Sequence, residues 1–170
     1  MRTPCSRPIS AARRNPSRGP ASTICPGALS LATQTPGQIV LAGPREGLRR
    51  AAEIGRERGV RTLALDVTGA FHSPWMAAAQ TPFREALERV ELAEPSVTVF
   101  CGMTAQPFTD VRDELAAALT APVRWRETMA ALAAFGARTF IDVGPDQVLA
   151  RLVARNVEGA EAIALEVLAA

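Results

Sequence analysis

One histidine, His72, occurs in the 170 residues, inside the stretch Gly69-Ala70-Phe71-His72-Ser73-Pro74-Trp75-Met76. Imidazole changes charge near neutral pH without a shifted pKa, so His72 is the natural carrier of general acid–base chemistry in this chain. A base of that kind needs a nucleophile within hydrogen-bond reach. Ser73 is adjacent, but successive side chains at a helix start point apart, which argues against a Ser73–His72 dyad. Ser73 reads better as an N-cap, with Pro74 at the first helical position, where its missing N–H is harmless. A lone histidine without companion ligands is a weak metal site. Cys5, Cys25 and Cys101 have no metal-ligand spacing, so no metal is expected. Two readings of His72 stay open from the residues alone: a turn histidine satisfied by backbone, and a general base.

The elements around it alternate. Gln38–Ala42 is an apolar run between Pro36-Gly37 and Gly43-Pro44, which suits a strand. Glu46–Arg58 places Leu48, Ala51, Ala52 and Gly55 on one stripe of a helix, with Gly59 as its stop. Thr62–Val67 is a strand leading into the histidine turn, and Phe83–Val90 carries helical spacing at Phe83, Ala86, Leu87 and Val90. Val97–Met103 reads as a strand, 112–119 and 123–135 as helices parted by Pro122, and Thr139–Val143 as a strand. Asp146 is placed to cap a helix over Gln147–Val157, and Ala162–Leu168 is a last apolar segment. Strands alternating with helices predict an α/β fold with a parallel sheet covered on both faces. A strand-to-helix turn, where His72 falls, is where such folds place functional side chains.

Composition narrows the function classes. Hydrophobic residues make up 48% and charged residues 21%, which suits a globular chain. No apolar run approaches the ~18–20 residues needed to cross a bilayer, so no membrane partner is expected. The net charge is +2, all basic residues are arginine, and basic residues are not interleaved with aromatics; nucleic acid is not an expected partner. There is no Gly-x-Gly-x-x-Gly and no Gly-Lys-Ser/Thr loop to cradle phosphate. An odd number of cysteines suits a reducing compartment, and a cytoplasmic location is expected. Residues 1–27 are rich in Arg, Ser and Pro, precede the first acidic residue Glu46, and read as a disordered leader or as translation upstream of the true frame. An organelle transit peptide is the other reading, against which the prolines argue.

Four spaced motifs together resemble the malonyl-CoA:acyl-carrier-protein transacylases, the acyltransferase domain family of fatty-acid and polyketide synthesis. Pro36-Gly37-Gln38-Ile39-Val40-Leu41-Ala42-Gly43 resembles the family's Asn-x-Pro-Gly-Gln-x-Val-x-x-Gly, and Gly69-Ala70-Phe71-His72-Ser73 its histidine motif. Pro122-Val123-Arg124-Trp125 resembles its Pro-Val-x-Trp, and Asp142-Val143-Gly144-Pro145-Asp146-Gln147-Val148-Leu149 its Val-Gly-Pro-Gly-x-Val-Leu. The resemblance covers residues 28–157, the C-terminal half of the family's domain.

The resemblance implies a partial acyltransferase fold. Residues 28–66 would be a remnant of a ferredoxin-like subdomain, and 67–170 the C-terminal part of the α/β domain. It implies ping-pong malonyl transfer from malonyl-CoA, through a serine ester, to the phosphopantetheine thiol of acyl carrier protein, with no cofactor. His72 would be the general base, oriented by a backbone carbonyl that falls on Ala118. Phe71 would border the acyl pocket and favour malonyl over methyl-branched substrates. The family's Gly-His-Ser-x-Gly nucleophile elbow does not occur among these residues, nor does the arginine that follows it. The chain alone is therefore expected to be inactive, either a non-catalytic fragment or one half of a split enzyme whose complementary partner carries the serine.

Overall fold

The computed structural model describes residues 9–12, 30–35, 38–144 and 147–165. A four-stranded sheet opens the chain: β1 (Ile9–Ala12), β2 (Ser30–Thr35), β3 (Gln38–Ala42) and β4 (Arg61–Ala64). Its order is β2-β3-β1-β4 and every pairing is antiparallel. That is the strand order of a ferredoxin-like sheet. Helix α1 (Arg45–Glu57) joins β3 to β4 and stops at Gly59, whose φ of 68° suits glycine.

Two expectations change here. Ile9–Ala12 lies in the segment read as a disordered leader, yet it is the inner strand between β3 and β4. An inner strand is held by backbone ladders on both sides, so four residues suffice without a visible hydrophobic period. The ferredoxin-like unit consequently has all four strands and is not confined to residues 28–66. The Pro36-Gly37 turn lies outside the described residues.

Strand β3 shows why its run is apolar throughout. Alternate residues of a strand face opposite sides. Leu41 and Ile39 pack with Leu48 and Ala51 of α1, while Ala42 and Val40 pack with Ala70, two residues before the histidine. Gly55 lets α1 approach β4; a Cβ there would stand 2.9 Å from Thr62 Cγ2.

Beyond β4 the expected strand to Val67 ends early, at Ala64, and the chain turns toward Gly69. A 3₁₀ turn over Pro74–Met76 leads into α2 (Ala77–Glu88). The helix runs through Pro82, although its predicted start lay after it. The carbonyl deprived of a partner belongs to Ala78, which is exposed and open to hydration. The strand expected at Val97–Met103 shrinks to β5 (Phe100–Cys101), paired with β6 (Gln106–Pro107). Helices α3 (Val111–Ala118) and α4 (Trp125–Ala134) follow, parted at Pro122 as expected.

The parallel element is small. β7 (Thr139–Asp142) pairs in parallel with β8 (Glu161–Ala164), and α5 (Val148–Asn156) connects them. The larger, antiparallel sheet is the expected ferredoxin-like part, and the parallel pairing expected of the α/β part is found in this β7-α5-β8 unit. No described helix is long and apolar enough to cross a membrane.

Candidate active site

His72 sits in the left-handed region, with φ of 60°. A residue with a Cβ adopts that conformation at a cost of about 1–2 kcal/mol, so its neighbours must hold it there. Ala70 is 4% exposed against Ala42 on one side. Ser73, fully buried, anchors the other. Its hydroxyl donates to the Ala70 carbonyl at 2.5 Å and its N–H to the Leu119 carbonyl at 3.3 Å. Ser73 does occupy the N-cap position of the 3₁₀ turn, with Pro74 at its start, but its side chain caps no N–H. The expected capping bond is replaced by one directed backward along the chain, which commits the hydroxyl proton to a carbonyl. Ser73 is therefore not a nucleophile for His72.

The imidazole Nδ1 lies 2.8 Å from the Ala118 carbonyl oxygen, 46 residues away and at the carbonyl the motif comparison singled out. A carbonyl oxygen only accepts, so Nδ1 carries the proton and the neutral ring keeps its lone pair on Nε2. That is the tautomer a general base needs at Nε2.

The acceptor is available because α3 ends there. The last carbonyls of a helix have no partner within it. In α3, Ala116 accepts from Gln80 Nε2 at 3.3 Å, Ala117 from Thr120 N and Oγ1, Ala118 from His72, and Leu119 from Ser73 N. The helix end thus presents a row of acceptors to the histidine turn and the start of α2. The opposite end is tied down too. Arg112 Nε and Nη2 donate to the Leu87 and Val90 carbonyls at 3.2 and 2.8 Å, closing the end of α2, and Arg84 pairs with Asp113. At the start of α3, Asp110 Oδ1 accepts from Asp113 N, while Glu114 Oε1 accepts from Thr109 and Asp110. Burial raises the Glu114 carboxyl, but these hydrogen bonds outweigh it and hold it below the ordinary range. Two antiparallel helices clamped at both ends fix where Ala118 meets His72.

Phe71 is 40% exposed, and its ring folds back over Gly69. A Cβ on Gly69 would stand 2.6 Å from Phe71 Cε2, so the glycine makes room for the ring. The Pro122-Val123-Arg124-Trp125 stretch is structural in part: Arg124 N donates to the Gly102 carbonyl at 2.7 Å, and Val123 covers Gly102.

In the Asp142–Leu149 motif a second aspartate also serves the start of α5. Asp146, read as the cap of α5, lies outside the described residues. The N-cap position is held by Gln147, at φ of 52° and without a side-chain bond. Among the described residues a capping carboxylate comes from Asp142, whose Oδ2 accepts from Leu149 N and Ala150 N at 2.9 and 3.0 Å and Oδ1 from Gly144 N at 3.0 Å. The Gly144, Ala150 and Leu149 N–H groups hold its carboxyl below the ordinary carboxylate range. Proximity in sequence favoured Asp146; no local signal marks an aspartate on the preceding strand. Beside it a hollow of about 410 Å³ is lined by Trp125, Met129, Ile141, Val143, Leu149 and neighbours, and neither His72 nor Phe71 belongs to it.

His72 thus stands in a left-handed turn, its Nδ1 held by a helix-end carbonyl, between the ferredoxin-like sheet and the β7-α5-β8 unit along the chain. Comparison with known proteins gives the class. The acyl transferase domain family matches residues 5–170, and the chain belongs to that family. It is 37% identical over 122 residues to the malonyl CoA-acyl carrier protein transacylase of Bacillus subtilis, covering 69% of this chain and 38% of that protein. The Clostridium perfringens malonyl CoA-acyl carrier protein transacylase structure superposes with a TM-score of 0.83 at 20% identity, over 99% of this chain and 61% of that one. The acyltransferase domain of an enediyne iterative polyketide synthase gives a TM-score of 0.79 at 30% identity, over 96% and 43%. The chain spans less than half the length of the curated transacylases from Bacillus subtilis and Haemophilus influenzae that it matches.

Proposed function

We propose that this chain supplies the general base for malonyl transfer from malonyl-CoA to the phosphopantetheine thiol of acyl carrier protein. The observation that carries the reading is the 2.8 Å contact of His72 Nδ1 with the Ala118 carbonyl, which leaves Nε2 basic. The nucleophile comes from a serine-bearing segment outside these 170 residues, which contain no Gly-His-Ser-x-Gly. His72 Nε2 takes the serine proton as the hydroxyl attacks the malonyl thioester, and gives it to the departing coenzyme A sulfur. It then takes the proton of the incoming pantetheine thiol as that sulfur attacks the serine ester, and returns it to the serine oxygen. Proton transfer and two acyl exchanges complete the cycle, with no cofactor beyond the two thioester substrates. Phe71 borders the acyl pocket, where its ring occupies the volume an α-methyl group would need. The cytoplasm, the location expected from the odd number of cysteines, is the compartment this reading assigns.

The test is reconstitution. The chain is mixed with a serine-bearing N-terminal segment of an acyltransferase domain, radiolabelled malonyl-CoA and holo acyl carrier protein. Label is expected on the carrier protein in the mixture and on neither component's own. His72→Ala is expected to lower transfer by a factor of about 10⁶, as loss of the base does in a comparable acyl-transfer site. Undiminished transfer by the variant would sink the assignment.

A further inference from the structure

The structure holds one polar group at the histidine turn that the proton transfers do not use. The Ser73 side chain is fully buried, yet it caps no helix N–H and its hydroxyl is committed to the Ala70 carbonyl. Its hydroxyl reaches back across Phe71 and His72 to the Ala70 carbonyl, bracketing the left-handed residue between two fixed points. Its N–H is bonded to Leu119, the residue after the carbonyl that orients His72. We infer that Ser73 is a positioning residue for His72, closing the turn so that Nδ1 meets Ala118 and Nε2 stays unprotonated. Ala70 is anchored independently against Ala42, so the hydroxyl links two anchors across the left-handed His72. Without it, nothing else in the turn bonds the Ala70 carbonyl to the residue after the histidine. The ring would then be free to leave Ala118 and to exchange its proton between the two nitrogens.

The inference deepens the reading of His72 as the base and rests on it for its meaning in catalysis, but its test does not need turnover. His72 is the only histidine, so histidine-selective ¹⁵N labelling of the full chain yields one imidazole. At a pH where the ring is neutral, the wild type should show a protonated Nδ1 and a bare Nε2. In Ser73→Ala the two nitrogen signals should move toward each other as tautomers mix. Ser73→Thr keeps the hydroxyl and should keep the wild-type signature. Leu48→Val, on the opposite face of β3, should lower Tm and leave the ring signals in place. In the reconstituted mixture, Ser73→Ala should lower kcat about 10- to 100-fold with KM unchanged, the size expected from a misplaced catalytic group. Unchanged ring signals in folded Ser73→Ala, or lost signature in folded Ser73→Thr, would overturn the inference. If the alanine variant does not fold, the threonine variant decides. Ring signals that behave as described while the wild-type mixture transfers no malonyl would refute the function and leave the positioning role standing.

Discussion

At the scale of residues, the chemistry depends on what surrounds one imidazole. Phe71 and Gly69 form a unit, because the ring occupies the space a Cβ on Gly69 would need. On the proposed function, Phe71→Ser opens volume beside the acyl group. The ratio of methylmalonyl to malonyl transfer should rise by about 10- to 200-fold, the usual worth of one methyl group in a pocket. Gly69→Ala should shift the same ratio more weakly by displacing the ring; competition between the two thioesters measures both. His72 itself was legible in sequence, since one titratable group at a strand-to-helix turn stands out without any structure. Its partner was not legible from spacing, because Ala118 lies 46 residues on and offers only a backbone atom. The motif resemblance alone located it. Ser73 was misjudged in detail: the capping rule assumes a full helix with free N–H groups, whereas a three-residue 3₁₀ turn follows and the hydroxyl finds a nearer carbonyl.

At the scale of elements, helix ends do the positioning. The α2–α3 clamp relies on Arg112, which closes the end of α2 through two carbonyls. Arg112→Met should destabilise the fold by about 1–3 kcal/mol, read by denaturant unfolding, since charged hydrogen bonds of this kind are worth that much. Asp142 holds the start of α5 from a preceding strand. Its folded pKa lies below the ordinary value, so the unfolded chain binds the proton more readily. The stabilisation is present above the ordinary carboxylate pKa and is lost as pH falls through the lowered folded value. Thermal melts should therefore show Tm dropping at acid pH, and Asp142→Asn should lower Tm near neutrality while flattening that acid dependence. Helix α1 is legible because its 3.6 period runs over thirteen residues, and strand β3 because turn residues bracket its apolar run. β1 was hidden, since four residues among prolines and arginines carry no period, and β5 was overextended because Val97 and Val99 look like strand residues while standing 71% and 44% exposed.

At the scale of the molecule, the two units differ in extent among the described residues. The ferredoxin-like sheet has its four strands, whereas the parallel part is a two-stranded pair, and parallel sheets are ordinarily covered on both faces. Ile141 and Val143, 52% and 75% exposed, stand beside the 410 Å³ hollow where Trp125 Nε1 is buried without an acceptor among the described residues. An apolar surface of this kind promotes association. Light scattering should find the isolated chain self-associated, and Ile141→Glu with Val143→Lys should shift it toward monomer. The serine-bearing segment of an acyltransferase domain should do the same to the wild type by forming a one-to-one complex; a wild-type chain that is monodisperse and monomeric alone would contradict this expectation.

The central claim is that His72 activates a serine carried outside these residues, and intact mass spectrometry of that serine tests it most directly. With malonyl-CoA and no acyl carrier protein present, the serine-bearing segment should gain one malonyl group when the wild-type chain is added. It should gain it about 10⁶-fold more slowly with His72→Ala. Equal rates of malonylation with the wild type and the variant, or none with the wild type in a formed complex, would contradict the account.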